Sequence, residues 1–161
     1  MKHGLSRRAW LAAPLAVWLT GEEAFAGVPA RLQLVTAKAA NLRDISLGDL
    51  RQLYRGVHMS LAGQHCVPLN HPARTPDRMG FDQIVLGMNP EEVGAYWVDQ
   101  KIRGGNSPPR TVDNIGLLLR VVGRLPGAIG YVREGFSSDE LKVISIEGRF
   151  PSDAGYPLIY R

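Results

Sequence analysis

Residues 67–81, VPLNHPARTPDRMGF, run from a short apolar segment through a proline-containing loop into a predicted helix. Thr75 is a suitable N-cap, and the apolar residues that follow it keep a helical spacing as far as Gly87. The first backbone N–H groups of a helix lack partners within it, so a loop at a helix start is suited to holding an anion. Here Pro76 has no N–H and Asp77 is itself negative. The stretch therefore predicts either a working anion site or an altered one.

Strand and helix patterns alternate over the rest of the chain. Alternating or short apolar segments predict strands at 31–36, 65–69, 128–132 and 141–146. Helical spacing predicts helices at 46–54, 89–103 and 112–124, with Asn89 and Thr111 as N-caps and with Val93, Tyr96, Trp97 and Ile102 facing inward in the second of them. Residues 57–64, residues 104–109 and the tail from Gly148 are typical of loops. The alternation predicts an α/β protein in which helices pack against a sheet.

The composition is that of one globular domain. The chain has 161 residues, of which 45% are hydrophobic and 21% charged. Its net charge of +4 is mild and its basic residues are scattered, which argues against a nucleic-acid partner. The single cysteine, Cys66, lies in an apolar segment, so a buried and unreactive thiol is expected. The spacing of His58, His65 and His71 fits no zinc pattern, and neither a metal nor a cofactor is expected.

Residues 1–26 have the pattern of a signal peptide. Basic residues precede the apolar stretch 9–20, which is too short to span a bilayer core of roughly 30 Å. A small-x-small motif predicts cleavage after Ala26, which would leave 27–161 as a domain in the periplasm or outside the cell. Ser6–Leu11, SRRAWL, is similar to the twin-arginine export motif, so both that route and the Sec route stay open. A retained anchor helix is the less favoured alternative.

Several motifs occur in an order that resembles the phosphate-binding proteins of ABC transporters. They are SLGDLRQLYRG at 46–56, PGAIGYV at 126–132, LKVISIEG at 141–148 and YPLIYR at 156–161. A short, single-domain branch of that family is nearer still, because it shares Tyr96-Trp97, Ile102, Gly105 and Pro108-Pro109. The resemblance covers about residues 31–160. It implies a periplasmic binding protein-like fold of a single lobe, with a mixed sheet flanked by helices.

The resemblance also implies which residues would contact a ligand. The family's anion-binding arginine falls on His71, its serine on Thr75 and its threonine on Asp77. Losing the arginine removes a permanently charged, two-pronged donor that suits phosphate, so replacing His71 by arginine would be expected to strengthen phosphate binding. Arg74 and Arg78 would compensate in part, unless Arg78 lies on a solvated face. The implied ligand-binding residues are His71, Arg74, Thr75, Asp77, Gly127 and Tyr131.

Two functions follow from the resemblance, and neither is catalytic, because no nucleophile and base or paired carboxylates stand at a recognisable spacing. The first is solute binding for an ABC transporter, with phosphate or another oxyanion held weakly. Binding would be weak because a single lobe leaves its ligand solvated on one side, unless a homodimer restores the cleft. The second is an interaction or accessory module of the cell envelope that keeps the fold without binding a small molecule.

Overall fold

The computed structural model describes residues 29–57 and 59–161, which form a mixed α/β structure. In chain order the elements are β1 (Ala30–Ala37), β2 (Asp44–Ile45), α1 (Leu47–Tyr54), β3 (Ser60–Leu61), β4 (Gln64–His65), β5 (Val67–Asn70), α2 (Pro76–Phe81), a π-helical turn (Asp82–Leu86), α3 (Pro90–Ile102), β6 (Arg110–Thr111), α4 (Ile115–Arg124), β7 (Ala128–Arg133), β8 (Leu141–Ile146) and β9 (Ile159–Tyr160). The predicted signal peptide with its Ser6–Leu11 motif, and His58, lie outside the described residues.

The seven-stranded sheet is built around β1. Its strand order is β2-β8-β1-β7-β5-β6, and β9 pairs with the start of β1. Strand β1 is antiparallel to both neighbours, with Leu34 opposite Tyr131 of β7 and Ile144 of β8. Strand β5 runs parallel to β6 and to β7. The carboxyl ends of β5, β6 and β7 therefore lie at the same edge of the sheet as the amino end of β1.

Helices cover both faces of the sheet. On one face, α1, α2 and the π-helical turn bury a core that includes Leu34, Tyr54, Phe81 and Tyr131. On the other face, α4 packs its apolar side against a smaller core around Val35, Leu69 and Val132. The predicted mixed sheet flanked by helices is confirmed. Within the described residues, no helix is both long enough and apolar enough to cross a bilayer.

The main strand and helix predictions are confirmed, and two boundaries are wrong. The strand predicted at 65–69 is divided between β4, which ends at His65, and β5, which begins at Val67. The helix predicted to end at Gly87 does so, because that residue adopts a left-handed conformation (φ 69°) that terminates the π-helical turn. The helix predicted to start after Thr111 instead begins at Ile115. Asn114 is its N-cap and accepts a hydrogen bond from Leu117 N at 3.1 Å. Thr111 belongs to the edge strand β6, which pairs with β5.

Pairing of two-residue strands accounts for two further differences. Residues 57–64 were predicted to be a loop, but β3 and β4 form a hairpin there. Its two-residue turn has positive φ at both Ala62 (49°) and Gly63 (73°), as the tight hairpin turns that match strand twist require. The tail was also predicted to be a loop, yet β9 pairs with β1 through Ile159 and Tyr160. Two-residue strands carry too few residues to show an alternating pattern in sequence.

The inward face predicted for α3 is only partly correct. Val93 is buried, and Tyr96 and Trp97 are half-buried against the end of α1. Ile102, however, has 79% of its surface exposed, so its predicted inward position is wrong. The helix crosses the surface with its last turn turned toward solvent.

Candidate functional site

The loop 71–75 leaves the sheet at the carboxyl end of β5, next to the end of β7. In open α/β sheets, ligands generally bind outside the carboxyl ends of parallel strands. Arg133, at the end of β7, and Tyr160, in β9, reach the same edge and contact one another, with Arg133 Nη2 at 3.3 Å from the Tyr160 hydroxyl. The candidate site is therefore at the edge where this architecture places ligands.

His71 and Tyr131 form a buried layer, the floor, beneath the loop. Its residue surface is 8% exposed, and its Nε2 donates to the carbonyl oxygen of Tyr131 at 2.7 Å. The imidazole also packs edge-on against the Tyr131 ring, with centroids 4.8 Å apart. Tyr131 is fully buried and donates its hydroxyl to Asn70 Oδ1, and its burial raises the pKa of the phenol. The two residues support the loop from below and do not present their rings to solvent.

A buried ion pair lies beside this floor, and the sequence reasoning did not find it. Arg78 Nε donates to Asp82 Oδ2 at 2.5 Å, and Arg78 Nη1 donates to the carbonyl oxygen of His71 at 3.1 Å. The suggestion that Arg78 lies on a solvated face is wrong, since it is 9% exposed. Burial raises the pKa of the Asp82 carboxyl, an effect that Arg78 opposes. An i, i+4 Arg–Asp pair could have been read from the sequence, but not its burial.

Thr75 occupies the N-cap position of α2 without capping it through its side chain. Its hydroxyl donates to the carbonyl oxygen of Pro72 at 2.9 Å, and no helix N–H reaches it. The predicted side-chain cap is therefore wrong. Pro76, the first helical residue, has no N–H to offer. The α-helical part of this segment is six residues long, so its terminus offers an anion only a small helix dipole.

Asp77 is already neutralised by the protein. Its Oδ1 accepts from Arg133 Nε at 2.7 Å and from the Tyr160 hydroxyl. Tyr160 can come this close because Gly80 has no side chain: a Cβ there would lie 2.3 Å from the Tyr160 ring. The Asp77 side chain is 17% exposed, whereas that of Arg133 is 51% exposed. The hydrogen bond and the charge of Asp77 raise the pKa of Arg133.

Arg74 is the exposed member of the set. It has a positive φ of 66°, which turns the loop toward α3. Its Nη2 lies 2.9 Å from Glu91 Oε1, and the two side chains are 74% and 65% exposed. Exposed ion pairs of this kind contribute little and exchange partners readily. Arg74 is thus the predicted site residue whose charge is most accessible to a solute.

Gly127 is not brought together with the other five predicted residues. It precedes β7 at the opposite edge of the sheet, about 13 Å along the strand from Tyr131. Its φ of 80° and its contact with β4 explain its identity, because a Cβ would lie 2.0 Å from the carbonyl oxygen of His65. Its own carbonyl oxygen accepts from Val67 N at 2.9 Å. The cluster contains Arg133 and Tyr160 and not Gly127, and sequence reasoning identified neither of these two residues.

Metal binding and thiol chemistry find little support among the described residues. Across the described ranges, no group of three or more histidine, cysteine or carboxylate side chains is arranged to hold a metal ion. Cys66 is 1% exposed, as expected of a buried thiol, and burial raises its pKa. The polar side chains at this edge are the Asp77–Arg133 ion pair, the Tyr160 hydroxyl bonded to it, and Arg74 outside this cluster.

Solved bacterial structures share this fold. The chain is similar to an ABC-type phosphate transport receptor from Vibrio cholerae, with 16% identity and a TM-score of 0.66 over 81% of this chain and 54% of that one. It is also similar to PstS from Borrelia burgdorferi, with 13% identity and a TM-score of 0.62 over 83% and 55% of the two chains. A third structure, assigned as a phosphate ABC transporter substrate-binding protein with bound phosphate, comes from Clostridium perfringens and has 19% identity and a TM-score of 0.62 over 76% and 47%.

The chain spans about half the length of these solved proteins. No protein-family model matches the sequence, and no curated protein does. At identities this low the likeness establishes the fold alone. The periplasmic binding protein-like fold that the sequence resemblance implied is confirmed.

Proposed function

We propose that this protein is an exported interaction or accessory module of the cell envelope, with the fold of solute-binding proteins and without tight binding of a free oxyanion. One observation carries the proposal: the Asp77 carboxylate sits in the first turn of α2 and is held by Arg133 and Tyr160. An incoming phosphate would have to displace this carboxylate or lie next to it. Because Asp77 already occupies Arg133 and would lie next to any second anion, phosphate, the ligand bound in the Clostridium perfringens structure, is kept from this position.

The other groups around the loop support the same conclusion. The His71 ring nitrogen and the Thr75 hydroxyl donate to backbone carbonyl oxygens, and Arg78 is paired with Asp82. A solute would gain from these groups only by breaking bonds that already exist. A partner protein, such as a transporter subunit or another envelope protein, can dock on the surface without breaking these hydrogen bonds. Export itself rests on the sequence pattern of residues 1–26, and mass determination of mature material should find a chain that begins at Gly27.

Weak anion binding is the second candidate, and the exposure of Arg74 favours it. Its pair with Glu91 is open to water, so an anion at millimolar concentration could compete for the guanidinium. A phosphate or carboxylate bound in this way would be solvated on one side and would dissociate easily. Phosphate and a carboxylate such as succinate would then bind with similar affinity, because a single exposed guanidinium distinguishes them poorly.

Calorimetric titration with phosphate tests the proposal. The wild-type chain should bind with a dissociation constant above about 1 mM, that is, with a binding free energy weaker than about −4.1 kcal/mol. Asp77→Asn keeps the side-chain shape, removes the charge and leaves Arg133 free, so phosphate affinity should rise at least tenfold, which corresponds to about 1.4 kcal/mol.

Asp99→Asn is the matched control, because it removes the same charge from an exposed pair on α3. It should leave phosphate affinity unchanged. Micromolar binding by the wild-type chain would refute the proposal. If Asp77→Asn and Asp99→Asn bind phosphate equally poorly, Asp77 is not the group that keeps the anion out.

A further inference from the structure

Helix α3 presents an apolar face that nothing in the described chain covers. Val98 and Ile102 are 61% and 79% exposed, the largest exposures among the large hydrophobic side chains of the described residues. They stand four residues apart and therefore lie on the same side of the helix. Gly94 and Ala95 continue this side toward the amino end and are also exposed. Neighbouring exposed apolar side chains, unlike scattered ones, mark interaction surfaces.

The charges on this face are arranged so that the faces of two copies can complement each other. Glu91 lies at its amino end and Lys101 at its carboxyl end, both exposed. Glu91 contacts Arg74 of its own chain, but that pair is open to water and exchanges partners readily. At 1.5 Å of rise per residue, the two are about 15 Å apart along the axis. Two such helices side by side in opposite directions place Lys101 of each copy against Glu91 of the other. The antiparallel arrangement also sets the positive end of each helix dipole beside the negative end of its neighbour.

The shape of the face fits the same arrangement. A two-fold axis that crosses α3 midway between Ala95 and Val98 sets each Val98 opposite Ala95 of the second copy. Gly94 adds no bulk, since a Cβ placed there would meet no atom within 4 Å. Small residues of this kind allow two helices to approach closely. In that geometry Lys101 falls within about one residue of the level of Glu91 of the second copy.

We infer that this face of α3 is the surface on which a second copy of the chain docks. A single helix face covers less than the roughly 800 Å² per partner that a stable interface buries. The exposed loop 104–108 adjoins it, and a cavity of about 460 Å³ lies between that loop and Trp97. Contact with the loop enlarges the interface, yet the dimer stays weak and dissociates on dilution. This inference does not rest on the proposed function, because it requires neither a partner protein nor the exclusion of an anion by Asp77, although Glu91 also contacts Arg74.

Sedimentation velocity of the purified chain from about 10 µM to about 1 mM tests the inference. The average mass should rise from that of a monomer toward that of a dimer over this range. Val98→Lys places a charge at the centre of the face and should raise the dissociation constant at least tenfold. Leu117→Lys is the matched control on α4, where Leu117 is 47% exposed, and should leave association unchanged.

Charge reversal makes the test specific to the antiparallel pairing. Glu91→Lys and Lys101→Glu should each weaken association, and the double variant should restore it, because each copy then offers the opposite pair of charges. Unfolding midpoints of all variants show that the chain remains folded. A chain that stays monomeric throughout, a Leu117→Lys effect as large as that of Val98→Lys, or a double variant weaker than both single variants would overturn the inference.

Discussion

Helices α2 and α3 begin with the same kind of sequence and use it differently. Each has a polar N-cap residue, then proline, then an acidic residue in the first turn. In α3 these side chains cap the helix. Asn89 Oδ1 accepts from Glu92 N at 2.9 Å, and Glu92 Oε2 accepts from Asn89 N at 2.8 Å. The result is a capping box in front of a helix of 13 residues.

In α2 the same types of side chain turn away from the helix. The Thr75 hydroxyl donates to Pro72, and Asp77 contacts Arg133 and Tyr160 from two strands of the sheet. Helix α2 lies against the sheet edge, where partners from other elements compete with the local cap, whereas the start of α3 faces solvent. The sequence thus predicts that a helix begins at each place. Whether the first side chains cap the helix or bond to other elements depends on which elements pack beside it.

The largest expected difference between the two helices concerns their i, i+4 ion pairs. Arg78→Ala should lower the free energy of unfolding by about 3–5 kcal/mol, because it leaves Asp82 buried without its counter-charge. Asp99→Ala breaks the exposed pair with Arg103 in α3 and should leave the urea midpoint almost unchanged. Urea unfolding of both variants gives the comparison. Similar losses in the two would mean that the Arg78 pair is not buried in solution.

The Arg78→Ala variant should also respond to pH in a defined direction. Burial raises the pKa of Asp82, and the variant lacks the guanidinium that opposes this effect. A carboxyl whose pKa is higher in the folded state than its usual value of about 3.9 gives up stability as the pH rises through that folded-state value. The loss relative to wild type should therefore be smaller below the folded-state pKa of Asp82, where the carboxyl is protonated, than above it. Urea unfolding over a range of pH gives this comparison, and a loss that is the same at every pH would contradict a raised pKa of Asp82 in the variant.

A third prediction concerns the floor beneath α2. The family resemblance alone implied that His71→Arg would strengthen phosphate binding. In the structure the imidazole is enclosed by Tyr131 and 8% exposed, so the longer side chain has no room. We expect His71→Arg to destabilise the fold by about 1–3 kcal/mol through overpacking and to leave phosphate affinity unchanged. His71→Gln retains a donor at similar volume and should destabilise less. Tighter phosphate binding by His71→Arg would show that position 71 can reach the solute.

Much of the fold could be predicted because long elements repeat their pattern. Strands β1, β7 and β8 and helices α1 and α3 each have enough residues to show a clear spacing. Some two-residue strands depend on partners distant in sequence, as β9 depends on β1, whereas β3 and β4 pair locally in a hairpin. The exposure of Ile102 depends on how α3 lies across the surface, which its own spacing does not encode.

The candidate site was predictable in its position and only partly in its chemistry. Strand β5, the loop and the start of α2 are continuous in sequence, so the family resemblance could group His71, Thr75 and Asp77 from this one stretch. Arg133 and Tyr160 reach Asp77 from sequence separations of 56 and 83 residues. Only the packing of β9 beside α2, over Gly80, brings these groups together. Local sequence therefore shows that Asp77 is negative but not that it is already neutralised.

The smallest expected effect concerns the caps themselves. Asn89→Ala removes the capping box of α3 and should lower the free energy of unfolding by about 1 kcal/mol. Thr75→Ala removes a hydroxyl that bonds the loop and not the helix, so the loss should be about half as large. Thermal unfolding at low salt, where cap and dipole contributions are least screened, provides the best resolution. If Thr75→Ala costs as much as Asn89→Ala, the Thr75 hydroxyl caps α2 in solution, and the contrast between the two helix starts disappears.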